Sequence, residues 1–142
     1  GSSMKPTLIP GTSATHAFLV TDAQTVPRLP IGNELFTDIP HVLATANMIA
    51  MMEATATKTL APHMDANEGS LGILVNVTHL AATVPGQTVT VTAEITAVEG
   101  RKITFKVSAH DGLDKIGEGT HQRMIVPWDR FKASVAAKAA KV

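Results

Sequence analysis

The stretch QTVTVTAEITAVEGRKITFKVSAHDG, residues 87 to 112, decides the fold of this chain. Apolar and polar residues alternate along it, as they do in β-strands that are buried on one face only. The dipeptide Glu99-Gly100 divides the stretch and Asp111-Gly112 ends it, and dipeptides of this kind mark hairpin turns. The apolar positions are Val89, Val91, Ala93, Ile95, Ile103, Phe105 and Val107. The sequence therefore predicts an antiparallel hairpin with one face in the core.

Further strand signals lie on both sides of this hairpin. Residues 71 to 84, LGILVNVTHLAATV, precede a Pro85-Gly86 turn, and residues 115 to 127, KIGEGTHQRMIVP, follow the second hairpin turn. A shorter signal covers residues 17 to 20. These segments predict one early strand and four later antiparallel strands, but the pattern leaves open where the first strand pairs.

Residues 41 to 61 form the main predicted helix, since they are rich in Ala and Met and contain neither Gly nor Pro. Pro40 stands near its first turn and Pro62 just beyond its end. We expect residues 31 to 40 to form an irregular loop or a short helical turn, and residues 128 to 142 a weak C-terminal helix. These elements predict an α+β domain in which the helix lies across one face of a curved antiparallel sheet.

The composition excludes several classes of protein. A chain of 142 residues is long enough for one domain with a real core, and 12 basic against 12 acidic residues disfavour nucleic acid as the main partner. The absence of cysteine excludes disulfides and thiolate chemistry. No apolar run approaches the ~20 residues of a membrane helix, and the start of the chain has no signal-peptide pattern. We therefore expect a soluble cytoplasmic protein, and interpret GSS before Met4 as a tag remnant.

Glu53 falls on the apolar side of the predicted helix. At 100° per residue from Val42, Leu60 lies at about 0°, Ile49 at about 340° and Glu53 between them at about 20°. No Lys or Arg stands three or four residues away from Glu53 on this helix. A buried carboxylate without a partner is costly, so either it takes up a proton or a partner reaches it from another element. The alternative is a helix rotated so that Glu53 reaches solvent at an edge.

His79 interrupts an apolar face of the strand before the Pro85-Gly86 turn. Strict alternation places it on one face with Ile73, Val75, Val77 and Ala81. A core imidazole bonded to the backbone would explain such a histidine by itself. Here, however, a strand histidine and a helix glutamate both point at the helix–sheet interface, a pair typical of general acid–base or nucleophile–base chemistry. Thr45, two turns before Glu53, lies at the margin of the same helical stripe.

The chain lacks the spacings that are typical of metal and nucleotide sites. It contains no HxH, HxxxH or HExxH, no GxGxxG or Walker loop, and no GxSxG nucleophile elbow. We therefore expect neither a metal nor a cofactor. His121, in the segment GTHQR, lies on a predicted strand whose orientation is left open by Gly117 and Gly119.

Three long segments carry a resemblance to a known family: FTDIPHVLATANMIAMMEATATKTLAP (36 to 62), EGSLGILVNVTHLAATVPGQTVTVTAEITAVEGRKITFKVSAHDG (68 to 112) and KIGEGTHQRMIV (115 to 126). They closely resemble the fluoroacetyl-CoA thioesterase-like family of acyl-CoA hydrolases, which have the hotdog fold, a long central helix wrapped by a curved antiparallel sheet. The resemblance covers residues 15 to 131, between an N-terminal extension at 1 to 14 and a C-terminal helix or tail at 132 to 142.

The resemblance implies an activity and an assembly. It implies hydrolysis of a short-chain acyl-CoA, such as fluoroacetyl-CoA, to the free acid and CoA, without a cofactor. It also implies a homodimer with its active sites at the subunit interface.

The resemblance further implies the residues of the site. Thr45, Glu53 and His79 occupy the positions of the family's catalytic threonine, glutamate and histidine. Gly72 matches a glycine whose backbone N–H contacts the thioester carbonyl, where it is suited to stabilising an oxyanion, and Arg123 matches an arginine near the site. His79 would act as base and proton shuttle. Glu53 would either attack the carbonyl or position the hydrolytic water, and the sequence leaves both routes open.

The lid before the helix departs from the family pattern. Phe36 keeps one aromatic position of the substrate pocket, whereas Ile39 and Leu43 replace aromatic residues. A smaller, aliphatic lid alters the fit around the acyl α-carbon, but a change of a few carbons is worth only about 1–3 kcal/mol of discrimination. We therefore expect this chain to share thioester hydrolysis with the family more closely than it shares selectivity for the fluorinated acyl group.

Two rival classes use the same residues. A hydratase or dehydratase of the same fold would need a similar buried acid and histidine, but the helix shows no recognisable hydratase motif. A non-catalytic acyl-CoA-binding protein would bind the thioester without releasing thiol. Thiol-release and hydratase assays run side by side separate the three classes.

Overall fold

The structure, a computed structural model, describes residues 4–31 and 33–142, and its five strands form one antiparallel sheet. The residues GSS, interpreted as a tag remnant, lie outside the described part of the chain. The strands are β1 (Ser13–Leu19), β2 (Glu68–His79), β3 (Thr88–Glu99), β4 (Lys102–His110) and β5 (Lys115–Pro127). Their order across the sheet is β1-β3-β4-β5-β2. With the helices described below, this sheet confirms the predicted α+β class.

The central hairpin forms as the alternation predicts. β3 and β4 pair in antiparallel register from Thr90 opposite His110 to Glu99 opposite Lys102. Gly100 in the turn has a φ of 63°, a backbone conformation that glycine adopts without strain. The predicted inward residues are all fully buried: Val89, Val91, Ala93, Ile95, Ile103, Phe105 and Val107.

Strand β2 differs from the prediction in its end and its regularity. It ends at His79 rather than at residue 84, and it pairs with β5. A bulge between Gly72 and Leu74 shifts its register, so the strict alternation predicted from Ile73 onwards does not extend across it. Because β2 and β1 have one neighbour each, both are edge strands.

The main helix, α1, covers Thr45–Leu60 and packs against β1, β2, β3 and β4. It begins later than the predicted residue 41 because the preceding backbone forms other hydrogen bonds. The N–H of Leu43 donates to the carbonyl of Thr83 at 2.8 Å, and that of Ala44 donates to Gln24 at 2.9 Å. A second helix, α2, covers Trp128–Ala139. Among the described residues no helix is long and apolar enough to cross a membrane.

The buried face of α1 is rotated from the predicted stripe. The buried residues are Met48, Met51, Met52, Thr55, Ala56, Thr59 and Leu60. On the same helical wheel they span about 180° to 360°, so the stripe centred near 0° is wrong and Glu53 lies just outside the buried face. The Glu53 side chain is 41% exposed. Flexible methionines fill the core here, while the alanines of this segment carry too little periodic signal to orient the helix.

Candidate active site

Thr45 and His79 meet where α1 begins and β2 ends. Thr45 Oγ1 lies 2.7 Å from His79 Nδ1, a hydrogen bond between the first residue of the helix and the last residue of the strand. Backbone hydrogen bonds hold the two chain segments in place. Leu43 N–H donates to Thr83, and Leu80 N–H donates to the carbonyl of Ile116 at 2.6 Å. The pairing of the two side chains therefore rests on fixed backbone.

The second nitrogen of His79 has no hydrogen-bond partner. Among the described residues, His79 Nε2 is the one buried side-chain nitrogen or oxygen in this condition. Burial lowers the pKa of His79 below the ordinary histidine value, and the nearby backbone of Ala81 opposes that effect in part. The ring is therefore neutral at physiological pH, which is the form of a histidine that accepts a proton.

A cavity of about 350 Å³ opens beside the Thr45–His79 pair. Its walls are mostly apolar and come from Val26, Val42, Leu43, Thr45, His79, Leu80, Ala81 and Ala82. A small apolar cavity with two polar side chains is the usual form of a small-molecule site. Of the predicted lid residues, Leu43 lines this cavity. Within the described part of the chain, half-buried Phe36 and exposed Ile39 lie before α1 and are not among its lining residues.

Glu53 receives its partner from β5. Arg123 Nη1 donates to Glu53 Oε1 at 3.1 Å. The sequence left open whether this carboxylate takes up a proton, finds a partner on another element or reaches solvent. The structure shows a partner on another element and partial exposure at the edge of the helix. Gly72 makes the approach possible, because a Cβ at that position would stand 2.4 Å from Glu53 Oε1. The carboxylate therefore lies directly against the backbone of β2.

Arg123 is held by β2 and by its own strand. Its Nε donates to Ser70 Oγ at 2.8 Å and its Nη2 to the Ser70 carbonyl at 3.0 Å. Its Nη1 also lies 3.2 Å from His121 Nε2. The side chain of Arg123 is only 9% exposed, so these contacts and Glu53 satisfy an almost buried cation.

The predicted site residues fall into two groups within one chain. Thr45 and His79 form one group, and Glu53, Gly72 and Arg123 form the other. Thr45 and Glu53 are two turns apart, about 12 Å along α1. Gly72 and His79 are about 23 Å apart along β2 at 3.3 Å per residue. One thioester carbonyl cannot contact both groups of the same chain.

Sequence reasoning missed Ser70 and assigned no role to His121. His121 and Arg123 stand two residues apart on β5 and share its inner face, which is the signal that alternation could have used. Ser70 gave no such signal, because its contact with Arg123 depends on the pairing of β2 with β5. Among the described residues no group of three or more His, Asp or Glu side chains is arranged to hold a metal ion.

Comparison with known proteins gives a family match over most of the chain. Residues 20–129 match the family model of the fluoroacetyl-CoA-specific thioesterase. The chain is 45% identical over 135 residues to the fluoroacetyl-CoA thioesterase of Streptantibioticus cattleyicolor, covering 95% of this chain and 97% of that protein.

Solved structures give the same result for the fold. A phenylalanine-to-alanine variant of the fluoroacetyl-CoA-specific thioesterase, in complex with fluoroacetate and CoA, is 45% identical with a TM-score of 0.85, covering 87% of this chain and 99% of that one. A thioesterase superfamily member from Thermus thermophilus is 29% identical with a TM-score of 0.86, covering 96% of both chains. A 24% identical hot-dog-like protein from Thermanaerovibrio acidaminovorans has a TM-score of 0.77. The hotdog fold predicted from the sequence is thereby confirmed.

Proposed function

The chain belongs to the family of fluoroacetyl-CoA-specific thioesterases, and we propose that its substrate is a short-chain acyl-CoA, which it hydrolyses to the free acid and CoA. Family and fold make it a thioester hydrolase. One observation carries the assignment of the site: the unpartnered Nε2 of His79 beside Thr45 in the 350 Å³ cavity. The catalytic unit of the proposal is the segment 15–131.

His79 is the base of the proposed reaction. It is neutral, its Nδ1 is fixed by Thr45, and Nε2 is available for a proton. In one route water attacks the thioester carbonyl while His79 takes its proton. In the other, Glu53 attacks first to give a mixed anhydride, which water then hydrolyses. In both routes the carbon–sulfur bond breaks and CoA leaves with a proton.

Gly72 supplies the oxyanion contact in this proposal. The developing negative charge on the carbonyl oxygen needs a donor held in place before the reaction, and a backbone N–H is such a donor. The missing Cβ also lets the Glu53 carboxylate lie against the backbone of Gly72. Arg123 fixes that carboxylate and gives it a cationic partner.

A homodimer brings the two groups of residues together. The outer edge of β2 carries exposed Ile73, Leu74 and Val75, which are 48%, 41% and 43% exposed in one chain. A long, apolar and unpaired edge strand is a template for pairing with another strand. We propose that two chains pair through β2 about a twofold axis, as isologous dimers do. A monomer in light scattering at micromolar concentration would contradict this assembly.

The position of the axis follows from the separation of the two groups. An antiparallel β2–β2 pair centred on Asn76 places His79 opposite the bulge that follows Gly72 of the partner subunit. Residues directly opposite one another point their side chains to the same face. The His79–Thr45 pair of one subunit then meets the carboxylate of the other subunit's Glu53. Each active site is thus composed of both chains.

The acyl group in this proposal is short. The lid carries Phe36 and Ile39 where the family pattern has two aromatic residues, so acetyl-CoA and fluoroacetyl-CoA are both candidate substrates. We propose the cytoplasm as the site of the reaction, because CoA thioesters are available there.

The test is thiol release with a panel of short acyl-CoAs that includes acetyl-CoA and fluoroacetyl-CoA. The proposal expects stoichiometric free CoA and free acid, with rates falling as the acyl chain lengthens beyond the cavity. Hydration of an enoyl-CoA without thiol release would identify a hydratase. Saturable acyl-CoA binding with no thiol release would identify a binding protein. Either result would contradict the proposal.

A further inference from the structure

His121 lies in the core beside the Arg123–Glu53 pair and has no role in the mechanism above. It is 1% exposed, and its ring stacks on Phe105 with centroids 6.2 Å apart. Its Nδ1 lies 2.8 Å from the carbonyl oxygen of Leu74, and its Nε2 lies 3.2 Å from Arg123 Nη1. Both ring nitrogens of this buried histidine are therefore engaged.

These two contacts determine the protonation of the ring. A carbonyl oxygen only accepts, so Nδ1 carries the hydrogen, and a guanidinium only donates, so Nε2 presents its lone pair to Arg123. Burial is the main cause that lowers the pKa of His121; the Leu74 bond and Glu53 oppose it, while Arg123 acts in the same direction. The ring is thus the neutral Nδ1–H tautomer.

The same nitrogen of Arg123 contacts both His121 and Glu53. Nη1 has two hydrogens, and one is directed to Glu53 Oε1 at 3.1 Å and the other to His121 Nε2. Glu53 is a partly exposed side chain with three rotatable bonds, so it does not fix this nitrogen by itself. His121 provides the fixed acceptor on the buried side.

We infer that His121 is a positioning residue for hydrolysis: as an acceptor at Nε2 it orients Arg123 so that Nη1 holds the Glu53 carboxylate against Gly72. The inference rests on the proposed role of Glu53 in the reaction. Leu74 directly follows the bulge of β2, so the bond from Nδ1 also fixes the ring relative to the strand that carries Gly72. His121 thereby links the position of the carboxylate to that of the oxyanion contact.

Two substitutions test the roles of the two ring nitrogens of His121 separately. His121→Asn can keep a donor near the position of Nδ1 but has no acceptor at the position of Nε2. His121→Gln can place an acceptor there. Loss of one hydrogen bond to a charged group predicts a kcat ~10- to 100-fold lower in His121→Asn with little change in KM. His121→Gln should recover most of that loss.

The matched control is His110→Gln, which changes an exposed histidine at the end of β4. Its ring accepts from the N–H of Gly112 in the neighbouring turn, away from the Arg123–Glu53 pair, so kcat should not change. Melting temperatures measured in parallel show whether a lower kcat comes from a misplaced Arg123 or from a destabilised core. An unchanged kcat in His121→Asn would overturn the inference. So would an equal fall of kcat in His121→Asn and His121→Gln, if that fall parallels a lower melting temperature in both.

Nitrogen-15 NMR of the histidine rings tests the contact without any assay of activity. The wild-type protein should show His121 with Nδ1 protonated and Nε2 unprotonated at neutral pH, and Arg123→Met should shift the Nε2 resonance downfield. An Nε2–H tautomer in the wild type would overturn the inference. If the expected tautomer is found but wild-type protein releases no thiol from any acyl-CoA, the proposed function has failed and the Arg123 contact stands.

Discussion

Thr45 Oγ1 and His79 Nδ1 lie 2.7 Å apart, which joins the first residue of α1 to the last residue of β2. The bond fixes the ring on its Nδ1 side and leaves the buried Nε2 as the nitrogen open to a reacting group. A histidine oriented by a neighbouring hydroxyl and kept neutral by burial has the properties of a general base. The chemistry proposed for this protein starts from that pair.

Removing the imidazole should abolish most of the activity. His79→Ala is expected to lower kcat/KM for acyl-CoA hydrolysis by at least ~10²-fold, the usual contribution of a general base. Thr45→Ala should have a smaller effect, because it releases the ring without removing it. The circular dichroism spectrum and melting curve show whether the fold is kept. A folded His79→Ala protein with near-full activity would make this histidine structural.

The pH profile should reflect the burial of His79. The base acts only when neutral, and its lowered pKa keeps it neutral to a lower pH than an exposed histidine. Activity is therefore fully present at neutral pH and lost as the pH falls, with a midpoint below about 6.5, the ordinary histidine value. The measurement is kcat/KM across the acidic range with buffers of constant ionic strength. A midpoint above that value would mean that a neighbouring negative charge outweighs burial.

The carboxylate of Glu53 should be needed for turnover. Glu53→Gln keeps the shape of the side chain and its contact with Arg123 but removes the nucleophile or water-positioning group. We expect hydrolysis to fall by ~10² to 10³-fold while acyl-CoA still binds, as measured by thiol release and calorimetry. Glu99→Gln, on the exposed end of β3, is the control and should keep full activity. If the folded Glu53→Gln protein keeps its turnover, Glu53 has no part in the reaction, and His79 activates the hydrolytic water without the carboxylate.

Some features of the fold could be predicted from the sequence because they depend on local pattern. The alternation of β3 and β4 predicted both their inward residues and their hairpin. The rotation of α1 was not predictable in the same way. Its core contacts come from Met48, Met51 and Met52, and the many alanines fit either face.

The site needed information that no local pattern contains. Pairing of β2 with β5 brings Ser70 and Arg123 together, although they are far apart in the chain. The bulge at Ile73 places Gly72 on the inner face, where alternation counted back from His79 would not put it. The neighbours in sequence marked Glu53 and His79 as unusual, but the helical stripe used for Glu53 is not the buried face of α1. Their placement in separate groups became visible only in three dimensions.

A pair of mixed dimers tests the composite active site most directly. In the trans dimer, one differently tagged chain carries Glu53→Gln and the other His79→Ala. One site then combines intact His79 from the first chain with intact Glu53 from the second, so we expect about half of wild-type thiol release per dimer. In the cis dimer, one chain carries both substitutions and its partner is wild type; each site then lacks one group, and activity should be as low as in the single variants. An active cis dimer together with an inactive trans dimer would contradict the account, because each chain would then hold a complete site of its own.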